Sequence, residues 1–441
     1  MIPRVRPYFH KSYINSVNEF ESSIEREQYQ NRISQKLDRY YPNAEAFELF
    51  DYGRNSLAVG LSILGFQEND EILVPCFTCS TVLESIISKN LKPVLYDIEF
   101  DFSVSIDKLE RKITSKTKAI IVTHFFGIPS NITEIKEFTD SKGIFLIEDC
   151  AHCIGLKIDN IVLGEIGDFS FTSFGNDKPL SIGNGSLLIF NNQEYLSRFY
   201  EIIPTIELND EDSEKCSFLS LLFFYLNTDK SVYHNFIGVY DFYHYLMMNK
   251  SQVNSIYQEL KKKDLDIPTL TQSLSGFRSH KLVLSPFRKI INYFIRDRSK
   301  RKREISQPKR MNCFSMNILN SAIDHVDEVN TFRKRIGSYY IENFLSNDDI
   351  IAPTSQTPFL RYSIISKKPR KTAKVVKDLK LGGYECGNFN WGQPLNKFLK
   401  TSERFENSEY IAENIINLPC HFDIEENDVS KICEIVKSGY M

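Results

Sequence analysis

The sequence predicts an α/β protein: a large, mostly parallel sheet, followed by a smaller α+β unit. Three observations carry this. From residue 71 to residue 150, short apolar runs alternate with helix-like segments. Those runs are continuous in Ile, Val and Leu, as expected of strands covered on both faces. Beyond Met316 the pattern changes to one long amphipathic stripe and then to mixed elements.

Taken in chain order, residues 1–45 are polar, carry no strong period and are set apart as an N-terminal segment. Residues 46–200 form the large domain. Leu57, Ala58, Leu61 and Leu64 recur at helical spacing, with Gly65 as the stop signal. Strands are expected at EILVP (71–75), KPVLYDI (92–98), TKAIIVTHFF (117–126) and IFLIEDC (144–150), and helices at 80–90, 106–113 and 131–143. DFSFTSF (168–174) and GSLLIF (185–190) read as later strands of the same sheet. Residues 201–308 break the rhythm with FLSLLFFYL (218–226), FIGVYDFYHYLMM (236–248) and a basic run through RDRSKRKRE (296–304). They read as an inserted helical region with a solvated basic face; contact with acidic lipid or another acidic partner is the alternative. Residues 309–441 hold one long helix from Met316 to about Phe344, a strand at LRYSII (360–365), and helices at 372–380 and 428–437.

Composition narrows the function. Lys and Arg number 54 against 57 Asp and Glu, so there is no global basic field to hold nucleic acid. No apolar run reaches the length of a membrane span, and MIPRVRPYFHKSY lacks a signal-peptide core. Nine cysteines, an odd number in a chain this long, read as reduced thiols in the cytoplasm. Cys76/Cys79 and Cys150/Cys153 form two C-x-x-C pairs, but they stand much farther apart than the pairs of a zinc ribbon. Both pairs read as helix starts after strands, and no metal is expected.

Ligands of an open parallel sheet collect at the carboxyl ends of its strands. Glu148 and Asp149 end one such strand, His124 ends the one before it, and His152 follows three residues on. Read alone, Asp149 is equally a helix N-cap. The stretch GDFSFTSFGNDKPLSIGNG (167–185) places Lys178 between a strand and a glycine-bearing turn at the same sheet edge. Most loop lysines are merely solvated, but one in this setting can form a Schiff base with a carbonyl. An aspartate facing such a lysine is the arrangement that holds pyridoxal phosphate.

The segments Gly53-Arg54-Asn55-Ser56-Leu57, VPCFTCSTV (74–82), THFFG (123–127), IEDCAHCIG (147–155), the 167–185 stretch and LPCHF (418–422) occur in one order. Together they resemble the DegT/DnrJ/StrS family of pyridoxal-phosphate sugar aminotransferases, of fold type I. The resemblance implies that Lys178 bears the cofactor, Asp149 pairs with the pyridinium nitrogen and His152 lies near the ring. It implies that Ser173 and the helix start at Arg54 and Asn55 hold the phosphate. It also implies that Arg310 reaches the phosphate of a neighbouring subunit, hence a homodimer with shared active sites. The substrates would be a nucleotide-linked keto-sugar and an amino acid donor, glutamate by resemblance. Cys79 stands where many members have an aromatic residue on the cofactor, and Arg54 where Thr or Ser is usual. Two other readings stay open: a sugar dehydrase or lyase on the same scaffold, and a non-catalytic member that binds cofactor or sugar. Trp391 lines a substrate pocket or packs between domains, and Arg361 is a candidate to grip the donor's carboxylate.

Overall fold

The computed structural model describes residues 1–21, 23–230, 233, 307–345, 347–387 and 393–441. The readings made for 236–248, 296–304 and Trp391 lie outside these residues. The central sheet has seven strands: β1 (Ala46–Phe50), β2 (Glu71–Pro75), β3 (Lys92–Tyr96), β4 (Thr117–Thr123), β5 (Phe145–Asp149), β8 (Phe169–Phe171) and β9 (Ser186–Phe190). A two-stranded hairpin, β6 (Lys157–Ile158) and β7 (Ile161–Val162), sits between the fifth and sixth of them in sequence. The order across the sheet is β1-β9-β8-β5-β4-β2-β3. β3, β2, β4, β5 and β8 pair in parallel, and β9 runs antiparallel to both β8 and β1. The fold is thus the expected α/β one with a mostly parallel sheet. β1 is an addition: Glu48 at its centre hides the apolar pattern. That carboxylate is buried and stays so because Arg26 Nη2 reaches it at 2.5 Å.

Pairing fixes the level of the strand ends. Thr123 lies opposite Asp149, and Asp149 opposite Phe171, so three carboxyl ends stand side by side. Helices cover both faces. In chain order they begin with α1 (Lys11–Glu19), α2 (Arg26–Leu37), α3 (Gly53–Leu64), α4 (Ser80–Ser88), α5 (Ile106–Glu110), α6 (Ile132–Lys142), α7 (Leu196–Ile202) and α8 (Glu211–Asn227). α3 ends at Gly65, whose φ of +72° is the left-handed stop that glycine adopts without a Cβ clash. α3 also lies unusually close to the sheet, because a Cβ at Gly60 would overlap the Phe169 ring. Gly60→Ala is therefore expected to push α3 off β8 and to cost about 1–3 kcal/mol, read as a lower midpoint in urea unfolding.

Two features of the helical layer depart from expectation. The polar N-terminal segment contains α1 and α2, which bury Tyr13, Ile14 and Val17, and Tyr29, Ile33 and Leu37. The apolar residues are few but fall on one face, and they pack in a cluster with Leu319, Ala322 and Val326. The long helix expected from Met316 is two helices, Cys313–Ala322 and Val326–Phe344, split by a 3-10 turn at Ile323–His325. The tighter turn lets the two pieces face different neighbours: α1 and α2 for the first, the C-terminal region for the second. In that region β10 (Ile350–Ile351), β11 (Arg361–Ser366) and β12 (Ile415–Pro419) form an antiparallel sheet. Helices Pro369–Leu381 and Glu426–Tyr440 pack on it, and their core is continuous with one face of the large sheet. No helix of the described residues is long and apolar enough to cross a membrane.

Candidate active site

Asp149 closes β5 with its carboxylate buried. No helix follows it; the chain turns, and Asp149 Oδ1 accepts from Ala151 N at 3.0 Å. The helix starts expected at the second C-x-x-C pair are absent as well, since Cys150 and Cys153 lie in that turn. Thr123 Oγ1 donates to Asp149 Oδ2 at 3.4 Å and itself lies 3.5 Å from Thr78 Oγ1. Burial pushes the Asp149 carboxyl up, while Ala151 N–H and the nearby Lys178 ammonium pull the other way. Alternation along β5 turns Glu148 to the opposite side, where His124 Nε2 meets it at 3.1 Å. Glu148 also accepts from the amides of Gly164, Ile166 and Gly167, so this pair braces the sheet rather than joining Asp149.

His152 does join Asp149's side. Its Nδ1 accepts from Phe126 N at 3.1 Å, and its ring stacks on Phe126 with centroids 5.6 Å apart. Burial first, then the charges of Lys178 and Arg361, hold it well below the usual histidine range, so the ring is neutral. Lys178 rises from a turn in which its amide bonds Gly175 O at 3.1 Å. Its Nζ is 3.9 Å from Asp177 Oδ1, and Asp177 Oδ2 takes Arg361 Nη2 from β11 at 2.9 Å. Burial pushes the Asp177 carboxyl up, but the Lys178 and Arg361 charges outweigh it and hold it well below the ordinary carboxylate range.

The start of α3 adjoins this turn. A Cβ on Gly53 would sit 3.2 Å from Thr172 O and 3.8 Å from Ser173 Cβ, and one on Gly175 would sit between Ser173 Oγ and Lys178 Cγ. Tyr52 gives α3 no side-chain cap, and the amides of Gly53 and Arg54 have no acceptor among the described residues. An anion is at home there. The side chains beside it are already engaged. Arg54 lies over the Tyr52 ring, 4.1 Å from its centroid, and Asn55 Nδ2 donates to Asp51 Oδ1 at 2.6 Å.

A profile of the DegT/DnrJ/EryC1/StrS aminotransferase family matches residues 10–204 and 289–437. The chain belongs to this family. A GDP-perosamine synthase of Vibrio cholerae is 34% identical over 140 residues, which is 32% of this chain and 38% of that one. The chain thus aligns with well under half the length of the curated relatives it matches, 38% and 40% for two of them. PseC of Helicobacter pylori, an aminotransferase involved in pseudaminic acid biosynthesis, superposes with a TM-score of 0.70 at 14% identity, over 100% of this chain and 99% of its own. Spr1654 of Streptococcus pneumoniae in its PMP form gives 0.69 at 16% identity, over 100% and 99%. The match begins at residue 10, so the helices of the polar N-terminal segment are part of the family fold.

Against that family, the residues expected at the site divide into two groups. Lys178, Asp149, His152, Ser173 and the α3 start converge on one sheet edge. Cys79, the N-cap of α4, follows Thr78 and has its Sγ 3.1 Å from Thr81 Oγ1. Arg310 lies elsewhere: its Nε donates to Ile206 O at 2.8 Å, near Arg26 and Glu48. Sequence reasoning overlooks Thr78, Thr123 and Asp177. Thr123 is within its reach, since it lies in THFFG at the level of Asp149.

The family's LPCHF-like segment ends at a clamp on the chain's first residues. His421 Nε2–H donates to Pro3 O at 2.7 Å and Nδ1 accepts from Asp423 N at 3.3 Å, which requires the neutral ring. Arg6 pairs with Asp423, and Ile2 bonds Gly383 O at 2.7 Å. This strap delivers Arg4 to the neighbourhood of Arg361 and Asp177. Burial, with Arg6 and Arg333 nearby, lowers the His421 pKa from 6.5 to about 3. The unfolded chain then binds the extra proton, so the His421 contribution is whole above pH 6.5 and drains away as pH falls toward about 3. The loss is expected to reach on the order of 4–5 kcal/mol. His421→Asn should flatten that part of the profile in denaturant titrations run between pH 4 and 7.

Proposed function

We propose that the protein is a pyridoxal-phosphate-dependent aminotransferase that moves an amino group from an amino acid, glutamate by family, to a nucleotide-linked keto-sugar. The cofactor of the family is pyridoxal 5'-phosphate. The observation that carries the reading is the buried Asp149 carboxylate on Lys178's side of the sheet edge, beside an uncapped helix start. The residues fit the group. A buried carboxylate needs a cation to offset its desolvation, and the Gly53 and Arg54 amides with Ser173 suit a phosphate.

When bound, the cofactor supplies an electron sink for negative charge at the carbon next to nitrogen. The rest is the work of the chain. Asp149 holds a proton on its partner nitrogen, and Ala151 N–H and Thr123 keep that carboxylate aimed. Lys178 Nζ, on a short turn, would take the proton from the donor's α-carbon and, in the second half of the reaction, deliver one to the keto-sugar's carbonyl carbon. Neutral His152, fixed by Phe126 N–H, packs beside that path without competing for the proton. In this reading Arg310, whose Nε is engaged by Ile206 O in its own chain, serves a partner site in a homodimer.

The test is a mass-spectrometric assay with cofactor, glutamate and a panel of nucleotide keto-sugars. Amino-sugar with matching 2-oxoglutarate supports the reading. Deoxy-sugar without donor consumption would make the chain a dehydrase, and no product from any sugar would leave a binding role.

A further inference from the structure

The helix Pro369–Leu381 has two faces of opposite kind. Val375 and Leu379 are buried and Val376 half-buried, all packed into the core of the C-terminal region. On the far side Arg370, Lys374, Lys377 and Leu381 recur at i, i+4, i+7 and i+11, and so form one exposed stripe. Lys367 and Lys380 flank it, and both are exposed. From 367 to 380 the chain carries seven basic residues and one acid, Asp378, in a protein of net charge −3. Three of the seven are engaged: Lys368 pairs with Asp349 at 2.6 Å, Lys374 pairs with Asp378 at 3.2 Å, and Lys371 donates to Tyr440 O at 2.5 Å. Lys367, Arg370, Lys377 and Lys380 have no ion pair among the described residues. Like charges three and four residues apart cost a helix stability. An anionic surface laid against the stripe turns that repulsion into attraction.

We propose that this face docks the protein on an anionic lipid bilayer. Three features select a lipid surface over other polyanions. No aromatic side chain stands between 367 and 381, so the face has nothing on which a nucleobase would stack. Six of the seven cations are lysines. Lysine is a strongly hydrated point charge suited to diffuse attraction, and it is depleted at protein interfaces, where forked pairing favours arginine. The stripe also ends in Leu381, which is 77% exposed. Beside a basic ridge, such a side chain gains by entering the boundary between headgroups and acyl chains. The docking is independent of the aminotransferase reading, since none of the side chains at the Asp149 and Lys178 edge lies on this helix.

The experiment is co-sedimentation of the full chain with vesicles of phosphatidylcholine mixed with phosphatidylserine, against vesicles of phosphatidylcholine alone. The mixed vesicles should capture the protein at low salt and release it at high salt, and the neutral ones should not capture it. Changing Lys367, Arg370, Lys377 and Lys380 together to Gln keeps good helix formers on an exposed face, so the variant should fold with an unchanged urea midpoint. Capture should weaken by about 10²-fold or more, at about fivefold per charge. Leu381→Ser should weaken it by about three- to tenfold. The same Gln changes at Lys116, Lys157, Lys334 and Lys400, exposed in other parts of the chain, should leave capture within about twofold. Equal capture by both kinds of vesicle, or indifference to Leu381→Ser, would overturn the proposal. So would capture undiminished in the helix variant, which would point to another basic stretch such as 296–304, or capture lowered as much by the control set. Tighter binding to poly-glutamate or duplex DNA than to the mixed vesicles would overturn the choice of lipid.

Discussion

Lys178→Ala is expected to lower amino-group transfer by about 10⁴-fold or more while the protein stays folded. Both halves follow from where the side chain stands. It is 17% exposed, on a short turn, with Asp177 as its charged neighbour at 3.9 Å. Truncating it opens no core cavity, so the unfolding midpoint should move by no more than about 1 kcal/mol equivalent. Catalysis has no replacement among the described residues, because Asp177, the other carboxylate beside Lys178, is held ionised by Arg361 and Lys178 and is a poor proton carrier. His152 is held neutral by burial and its Nδ1 is committed to Phe126 N. Amino-sugar formation and urea unfolding, measured on one preparation, check both halves. Full activity in the variant would refute the role.

Asp149→Asn should separate activity from stability in opposite directions. The amide keeps an oxygen for Ala151 N–H and nearly the same volume, but it carries no charge. Activity should fall about 10²–10³-fold, the usual cost of losing a preorganised electrostatic partner. Stability should hold or rise. Burial raises the Asp149 pKa above its value in the unfolded chain, so the ionised carboxylate costs folding free energy at neutral pH. The wild type therefore loses stability as pH climbs from the unfolded carboxyl range through the raised folded value, and the variant should lack that slope. A variant both less active and markedly less stable would mean that Asp149 is a structural cap instead.

Much of the fold and part of the site are legible in the amino-acid sequence, for identifiable reasons. β2, β4 and β5 are covered on both faces, so their sequences are uninterrupted apolar runs that nothing else imitates. Asp149 and Lys178 stand out because each ends or follows such a run at the same edge. β1 is hidden by Glu48, whose partner Arg26 lies outside the strand. α1 and α2 are hidden by their polar outer faces. The partition of His124 and Asp149 into different clusters depends on strand alternation and pairing level, and end-of-strand position alone does not encode it. Asp177 is invisible for a different reason. Its meaning comes from Arg361, 184 residues away in sequence, brought there only by the docking of the small sheet. The break at Ile323–His325 leaves the apolar stripe unbroken, and packing on two neighbours decides it.

In the proposed function one side chain, Lys178, carries the cofactor opposite Asp149. Borohydride reduction of cofactor-saturated protein, followed by proteolysis and peptide mass mapping, tests it directly. The reduced cofactor's mass is expected on the peptide containing Lys178, and should be lost in Lys178→Ala. Labelling of a different lysine, or no labelled peptide at saturation, would contradict it.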